Sequence, residues 1–201
     1  MPKVDDWKVD VPEGTKGDWT VERFTVTDNN ADVFNITQAW KPGGRHVLPG
    51  TYTRLLLRGS FDNPIMSDTH DETRDHRHFV HLAHGDILIA GLGLGVVVQA
   101  CLRKPSVQRV TVIELEQDVI DLVAPHYQDR FGDRFEVIHG DALTMKIKRG
   151  RTWDCAWYDI WPSICGDNLK DMHRLHRRFG RRVHDYQGSW CRGLCERLAR
   201  H

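Results

Sequence analysis

The sequence predicts an α/β chain, a doubly wound parallel sheet of five strands behind a small β-rich unit, and three observations carry that expectation. Apolar segments of strand length alternate with helix-length segments from Asp86 onward, glycines recur at every second position directly after the first of these strands, and acids close the strands that follow. The balance of 28 Lys plus Arg against 28 Asp plus Glu excludes a generally basic nucleic-acid coat. Hydrophobic residues at 40% supply one real core. The longest nearly apolar run, Ile87 to Val98, holds 12 residues and three glycines, short of the roughly 20 that a membrane-spanning helix needs. Charged residues in Met1 to Lys8 stand where a secretory leader would be apolar, and five irregularly spaced cysteines suit reduced thiols, so a cytoplasmic location away from membranes is expected.

Residues 1–18, with two prolines and two glycines, read as a loosely docked arm. Thr20 to Val26 is rich in β-branched and aromatic residues, Asp28-Asn29-Asn30 signals a turn, and Val33 to Ile36 is expected as the second strand of a hairpin. Pro42-Gly43-Gly44 and Pro49-Gly50 punctuate the chain before a further strand over 51–58. The expected division is thus 1–66 for the arm and β-rich unit and 67–201 for the α/β domain. Ser67 to His84 is polar and helix-compatible, with acids at its front. Its histidines (His70, His76, His78, His81, His84) show no set of three ligands at a recognisable metal spacing, so a solvated polar helix is expected and no metal.

The informative part begins at Asp86. Asp86 to Ala90 reads as a buried strand, Gly91-Leu92-Gly93-Leu94-Gly95 as a tight turn, and Val96 to Leu102 as a helix that stops before Pro105. Arg109 to Glu114, Phe135 to His139, Trp153 to Asp159 and Arg182 to Tyr186 supply four more strands. Helices are expected over Asp118 to Ala124, ending before Pro125, along the face made by Leu169, Met172, Leu175 and Phe179, and from Cys191 to Arg200, where Cys191 and Cys195 would share a face.

Glycines after a strand let backbone amides approach a ligand, and Glu114, 19 residues beyond Gly95 at the end of the next strand, can accept both hydroxyls of a ribose. The Gly-x-Gly-x-Gly series departs from the dinucleotide fingerprint and favours another nucleoside ligand. Asp141 and Asp159 end later strands and belong to the same mouth. Trp157, Trp161 and Trp190 could wall an aromatic pocket, with Trp161 the strongest candidate because Trp157 alternates like a core residue.

These motifs, in this order, resemble the class I S-adenosylmethionine-dependent methyltransferases over roughly residues 51–200, and within them the spermidine synthase-like branch. Asp71-Glu72 before the first strand and Val112-Ile113-Glu114-Leu115-Glu116 with Val119-Ile120 are similar to that branch. The resemblance implies a Rossmann-like, truncated methyltransferase fold. It places Gly91, Leu92, Gly93 and Gly95 around the methionine part of S-adenosylmethionine, Glu114 and Leu115 at the ribose, and Asp141 and Ala142 beside the adenine, with Asp159 and Trp161 facing the reacting centre. Two departures accompany it. Where the branch's polyamine enzymes carry an Asp inside the glycine loop, this chain has Leu92 and Leu94, and where they carry Asp-x-x-Asp after the fourth strand, Asp159 is followed by Ile160, Trp161 and Pro162.

The expected function is therefore methyl transfer to a small-molecule acceptor, an amine above others, with aminopropyl transfer and non-catalytic nucleoside binding as alternatives. From His173 to His201 eight arginines against two acids make a local net of +6, and the rest of the chain carries the opposite sum. That face suits the acidic half of a second copy, an acidic protein or RNA. With the fifth strand at an open edge, a homodimer is the expected assembly.

Overall fold

The structure is a computed structural model that describes residues 7–39, 44–59 and 64–200. A small antiparallel sheet comes first. Strands β1 (Gly14–Lys16), β2 (Trp19–Val26), β3 (Gly50–Leu57) and β4 (Met66–Ser67) lie in that order, with helix α1 (Asp28–Gln38) between β2 and β3. The second sheet contains β5 (Gly85–Ala90), β6 (Val107–Glu114), β7 (Phe135–His139), β8 (Trp153–Tyr158) and β9 (Val183–Ser189). Every pair in it is parallel and the order is β7-β6-β5-β8-β9, so the chain reverses direction across the sheet between β5 and β8. This is the Rossmann-like, doubly wound parallel topology that the motif order implies, with five strands among the described residues and β9 at one edge.

Helices α2 (His70–Leu82), α3 (Val96–Leu102) and α4 (Gln117–Phe131) cover one face; α5 (Asn168–Phe179) covers the other, and α6 (Arg192–Leu198) packs beside α5. Because strand side chains alternate, Ile87 and Ile89 of the central β5 join Phe79, Val98 and Val123 on the first face, while Leu88 and Ala90 join Leu175 and Phe179 on the second. The predicted stripe on α5 is real: Met172, Leu175 and Phe179 are fully buried.

Several sequence expectations change. Residues 33–36 are helical: Thr27 caps α1 by accepting the Asn30 amide at 3.3 Å, and the Asn35 side chain bonds the backbone N and O of Val47. The hairpin partner of β2 is instead β1, and on its other side β2 pairs antiparallel with β3 over all eight residues of each strand. From Trp7 onward the arm is docked: Trp7, Val9 and Val11 alternate into the main core, and the Val9 amide donates to Asp68 at 3.0 Å. Residues 1–6 of that arm, and Pro42 and Gly43, lie outside the described residues. Helix α4 continues through Pro125, because its second half buries Tyr127 against the glycine loop and the proline forfeits a single helix hydrogen bond. Cys191 and Cys195 do not share a helix face. Cys191 precedes α6 with a left-handed φ of 49° and Cys195 is buried.

Helix α2 differs most from expectation. Its acids and His76 lie on the inner face, where Asp71 and His76 are almost fully buried beside Phe79 and Val80.

Candidate active site

The C-terminal ends of β5, β6, β7 and β8 open into a cavity of about 1300 Å3 roofed by the small sheet. Gly91, Leu92 and Gly93 line it, as do Glu114 and Leu115, Asp141 and Ala142, and Asp159 and Trp161. Gly95 does not, although it was expected around the ligand. At φ +73° it lies so close to Tyr127 that a Cβ would meet the ring at 2.2 Å, and Tyr127 in turn donates to the Leu94 carbonyl at 2.7 Å. Gly95 shapes the loop from behind. Gly91 is required at the front: a Cβ there would sit 1.9 Å from the Asp159 carbonyl oxygen, and its φ is +95°. Its amide bonds the Ile113 carbonyl at 2.9 Å, and the Asp159 amide bonds the Ala90 carbonyl at 2.8 Å, so three strand ends are tied together at this point.

Glu114 is the keystone of the loop. Its carboxylate accepts the Leu92 amide at 2.6 Å and the Glu116 amide at 2.9 Å, which places a fixed negative charge at the end of β6. Asp141 accepts the Leu143 amide and the Thr144 hydroxyl, both at 2.8 Å, and so holds the turn after β7. Both acids line the cavity at strand ends.

Sequence reasoning missed a second group of residues, contributed by α2 and the segments after α1 and β9. Arg45 pairs with Asp75 at 2.7 Å, lies 5.4 Å from the Trp190 ring centre and donates to Cys191 Sγ at 3.7 Å. Cys191 Sγ donates to Asp75 at 3.2 Å, and burial, with Asp75 beside it, pushes the thiol well above its ordinary range. Burial works against the Arg45 charge, yet Asp75 and Glu72 hold the guanidinium above its usual value. Glu72 accepts the Ser67 amide at 2.5 Å and the Ser67 hydroxyl at 3.0 Å, and its own burial raises its pKa. A signal was present in the sequence: Glu72, Asp75, His76 and Phe79 recur at helical spacing, but a polar helix face reads as solvated until a tertiary neighbour is known.

Asp159 sits between the two groups. Burial, then the neighbouring Glu72 charge, pushes its carboxyl up to about 8, with Arg45 opposing. His76 Nε2 is 3.9 Å from Asp159 Oδ2, and burial brings that imidazole down to about 4, so it is neutral at pH 7. Its ring meets Trp157 edge-on, and Trp157 stacks on Phe79. Trp157, Trp161 and Trp190 all line the cavity. Among the described residues the cavity wall carries six acidic side chains (Glu72, Glu114, Glu116, Asp141, Asp159, Asp171) and two arginines. Both arginines are already paired, Arg45 with Asp75 and Arg54 with Glu22 at 2.5 Å. Such a wall favours a cationic occupant. No cluster of three or more His, Cys, Asp or Glu fit to hold a metal occurs among the described residues, and none of their helices is long and apolar enough to cross a membrane.

No family model matches the chain. A polyamine aminopropyltransferase of Pyrobaculum aerophilum is 28% identical over 136 residues, covering 61% of this chain and 46% of the relative. One from a Synechococcus species is 26% identical over 167 residues, covering 73% and 52%. The sequence relatives are polyamine aminopropyltransferases. That bears out the resemblance to the spermidine synthase-like branch, and the chain spans about half the length of the relatives it matches. Solved structures similar to it include the CcbJ methyltransferase of Streptomyces caelestis (TM-score 0.45, 15% identity, 56% of this chain and 45% of that one). The N-methyltransferase NodS of Bradyrhizobium japonicum is another (TM-score 0.44, 15% identity, 64% and 76%).

Proposed function

We propose that this chain binds S-adenosylmethionine and directs transfer of its methyl group to an amine. The observation that carries the reading is one acid-rich cavity that joins the glycine loop and Glu114 to a largely enclosed Asp159. The residues fit an adenosyl sulfonium: Gly91 keeps the loop flat against the strand ends, Glu114 faces the position of a ribose, and the surplus of carboxylates suits positive charge. When bound, S-adenosylmethionine supplies a methyl group on a sulfonium already activated for in-line displacement. The protein's share is alignment and proton removal. Asp159, with a carboxyl near 8, can take the proton that an ammonium acceptor must lose, because a base titrating near the working pH combines basicity with availability. The neutral His76 at 3.9 Å adds no positive charge to oppose that rise.

The names of the relatives favour a second reading, aminopropyl transfer from decarboxylated S-adenosylmethionine. Against it, the glycine loop offers no carboxylate for the aminopropyl amine: Leu92 presents an apolar side chain to the cavity and Leu94 is fully buried.

Titration calorimetry of the protein with S-adenosylhomocysteine tests the reading. Binding is expected, with a loss of at least roughly a hundredfold in Glu114→Ala, since both its charge and its hold on the Leu92 amide disappear. Absence of binding to any adenosyl sulfonium or thioether by the folded protein would overturn it. Turnover with the decarboxylated form alone would establish the aminopropyl reading.

A further inference from the structure

The size and zoning of the cavity say something about the acceptor. Pockets for one drug-sized ligand span roughly 300–1,000 Å3, and this cavity holds about 1300 Å3. The nucleoside end is accounted for by Gly91, Glu114 and Asp141. The remainder divides into two zones of different chemistry. One is the acidic floor of Glu72 and Asp159, backed by Trp157 and Trp190. The other is an apolar wall built by the small sheet and α1, where Phe24, Val26, Phe34 and Val47 line the cavity.

These zones are physically continuous. Arg45 belongs to the floor through Asp75, the His46 amide bonds Asp71 at 2.7 Å, and Val47 bonds Asn35 of α1 and packs with Ala31, Tyr52 and Phe24. Arg45 and Val47 are two residues apart in the chain, so the acidic zone and the apolar one lie within about 7 Å along the backbone. Among the described residues this wall carries no carboxylate: its polar members Thr25, Asn30 and Gln38 are neutral, and Arg54 is paired with Glu22 and lies 5.0 Å from the Phe24 ring centre. A slender polyamine with a second ammonium group would have to leave that charge against apolar and neutral polar side chains, at a desolvation cost that no carboxylate among the described residues offsets. A molecule with one cationic end and an apolar body satisfies both zones.

We propose that the acceptor is a primary amine bearing an extended alkyl or aryl body, its ammonium at Asp159 and Glu72 and its body along Phe24, Val26, Phe34 and Val47. The inference rests on the alkyl-transfer reading of this cavity and narrows its acceptor class. It distinguishes this chain from relatives whose names specify polyamine chemistry.

Calorimetry on the full chain, saturated with S-adenosylhomocysteine, with butylamine, octylamine, 1,4-diaminobutane and octanoate as probes, tests it. Octylamine is expected to bind tightest, with roughly a tenfold gain for each pair of methylenes buried, and octanoate at least tenfold weaker because its head carries the wrong charge. In Phe34→Ser, a half-exposed helix position at which folding is little affected, the preference for octylamine over butylamine should shrink several-fold. Val26→Thr provides the same test from the sheet side. Equal or tighter binding of 1,4-diaminobutane would overturn the inference and leave the reading intact, as would equal affinity for octanoate or a chain-length preference unchanged in both variants. Loss of S-adenosylhomocysteine binding itself would instead strike the underlying reading.

Discussion

The two sheets bury their side chains in different ways. In β5 the four residues from Ile87 to Ala90 are all buried, because helices cover both faces of the parallel sheet. In β2 Val21 alone is fully buried. Its side faces the main core with Trp19, while Phe24 and Val26, on the opposite side, reach a satellite cluster of Ala31, Val47 and Tyr52. The parallel sheet is a closed two-sided core from which loops present fixed carboxylates. The small sheet is a thin wall with one side on that core and the other shared between a small cluster and the cavity.

The contrast can be broken by truncation. Phe179→Ala, in the fully buried cluster beneath β8, is expected to cost about 3–5 kcal/mol, whereas Phe24→Ala, half-buried in the wall, should cost well under half of that. Urea unfolding of both variants measures the difference, and equal losses would show that the two sheets form one energetic core.

A smaller effect separates the sheets by pH. A carboxyl whose folded pKa is raised contributes stability that is fully present below its unfolded value near 3.8 and is lost as pH rises through about 8. Asp159→Asn removes that loss, so its melting temperature should exceed the parent's by several degrees at pH 9 and match it near pH 4, as thermal unfolding at the two values would show. The same substitution should lower turnover by at least a hundredfold and abolish the rise of kcat/KM with pH that ionisation of Asp159 produces. The smallest effect belongs to α1: Ile36 is 66% exposed, so Ile36→Ser should stay within about 0.5 kcal/mol by the same unfolding measurement.

The misread elements share a cause. Val33, Phe34 and Ile36 carry strand propensity, but they are exposed at 58%, 41% and 66%, and no burial favours a strand over the helix that Thr27 caps. On α2, the buried Asp71 and His76 and the inward Glu72 and Asp75 look like solvent-facing residues in sequence, because periodicity reports which residues share a face and not what that face meets. The arginine-rich end is also partly spent internally: Arg178 donates to the Met145 carbonyl, and Arg182 to those of Lys148 and Arg151.

The sequence by itself determined the five parallel strands, the glycine turn, and the acids Glu114, Asp141 and Asp159 at one sheet edge. Local pattern suffices there, since a strand buried on both faces must be continuously apolar and a tight turn must be glycine-rich. Tertiary structure alone decided that Gly95 supports the loop from behind, that the arm at Trp7, Val9 and Val11 completes the core, and that Arg45, Glu72, Asp75, His76 and Cys191 converge on Asp159. Those contacts join residues up to 146 positions apart, and long-range proximity leaves no trace in local periodicity.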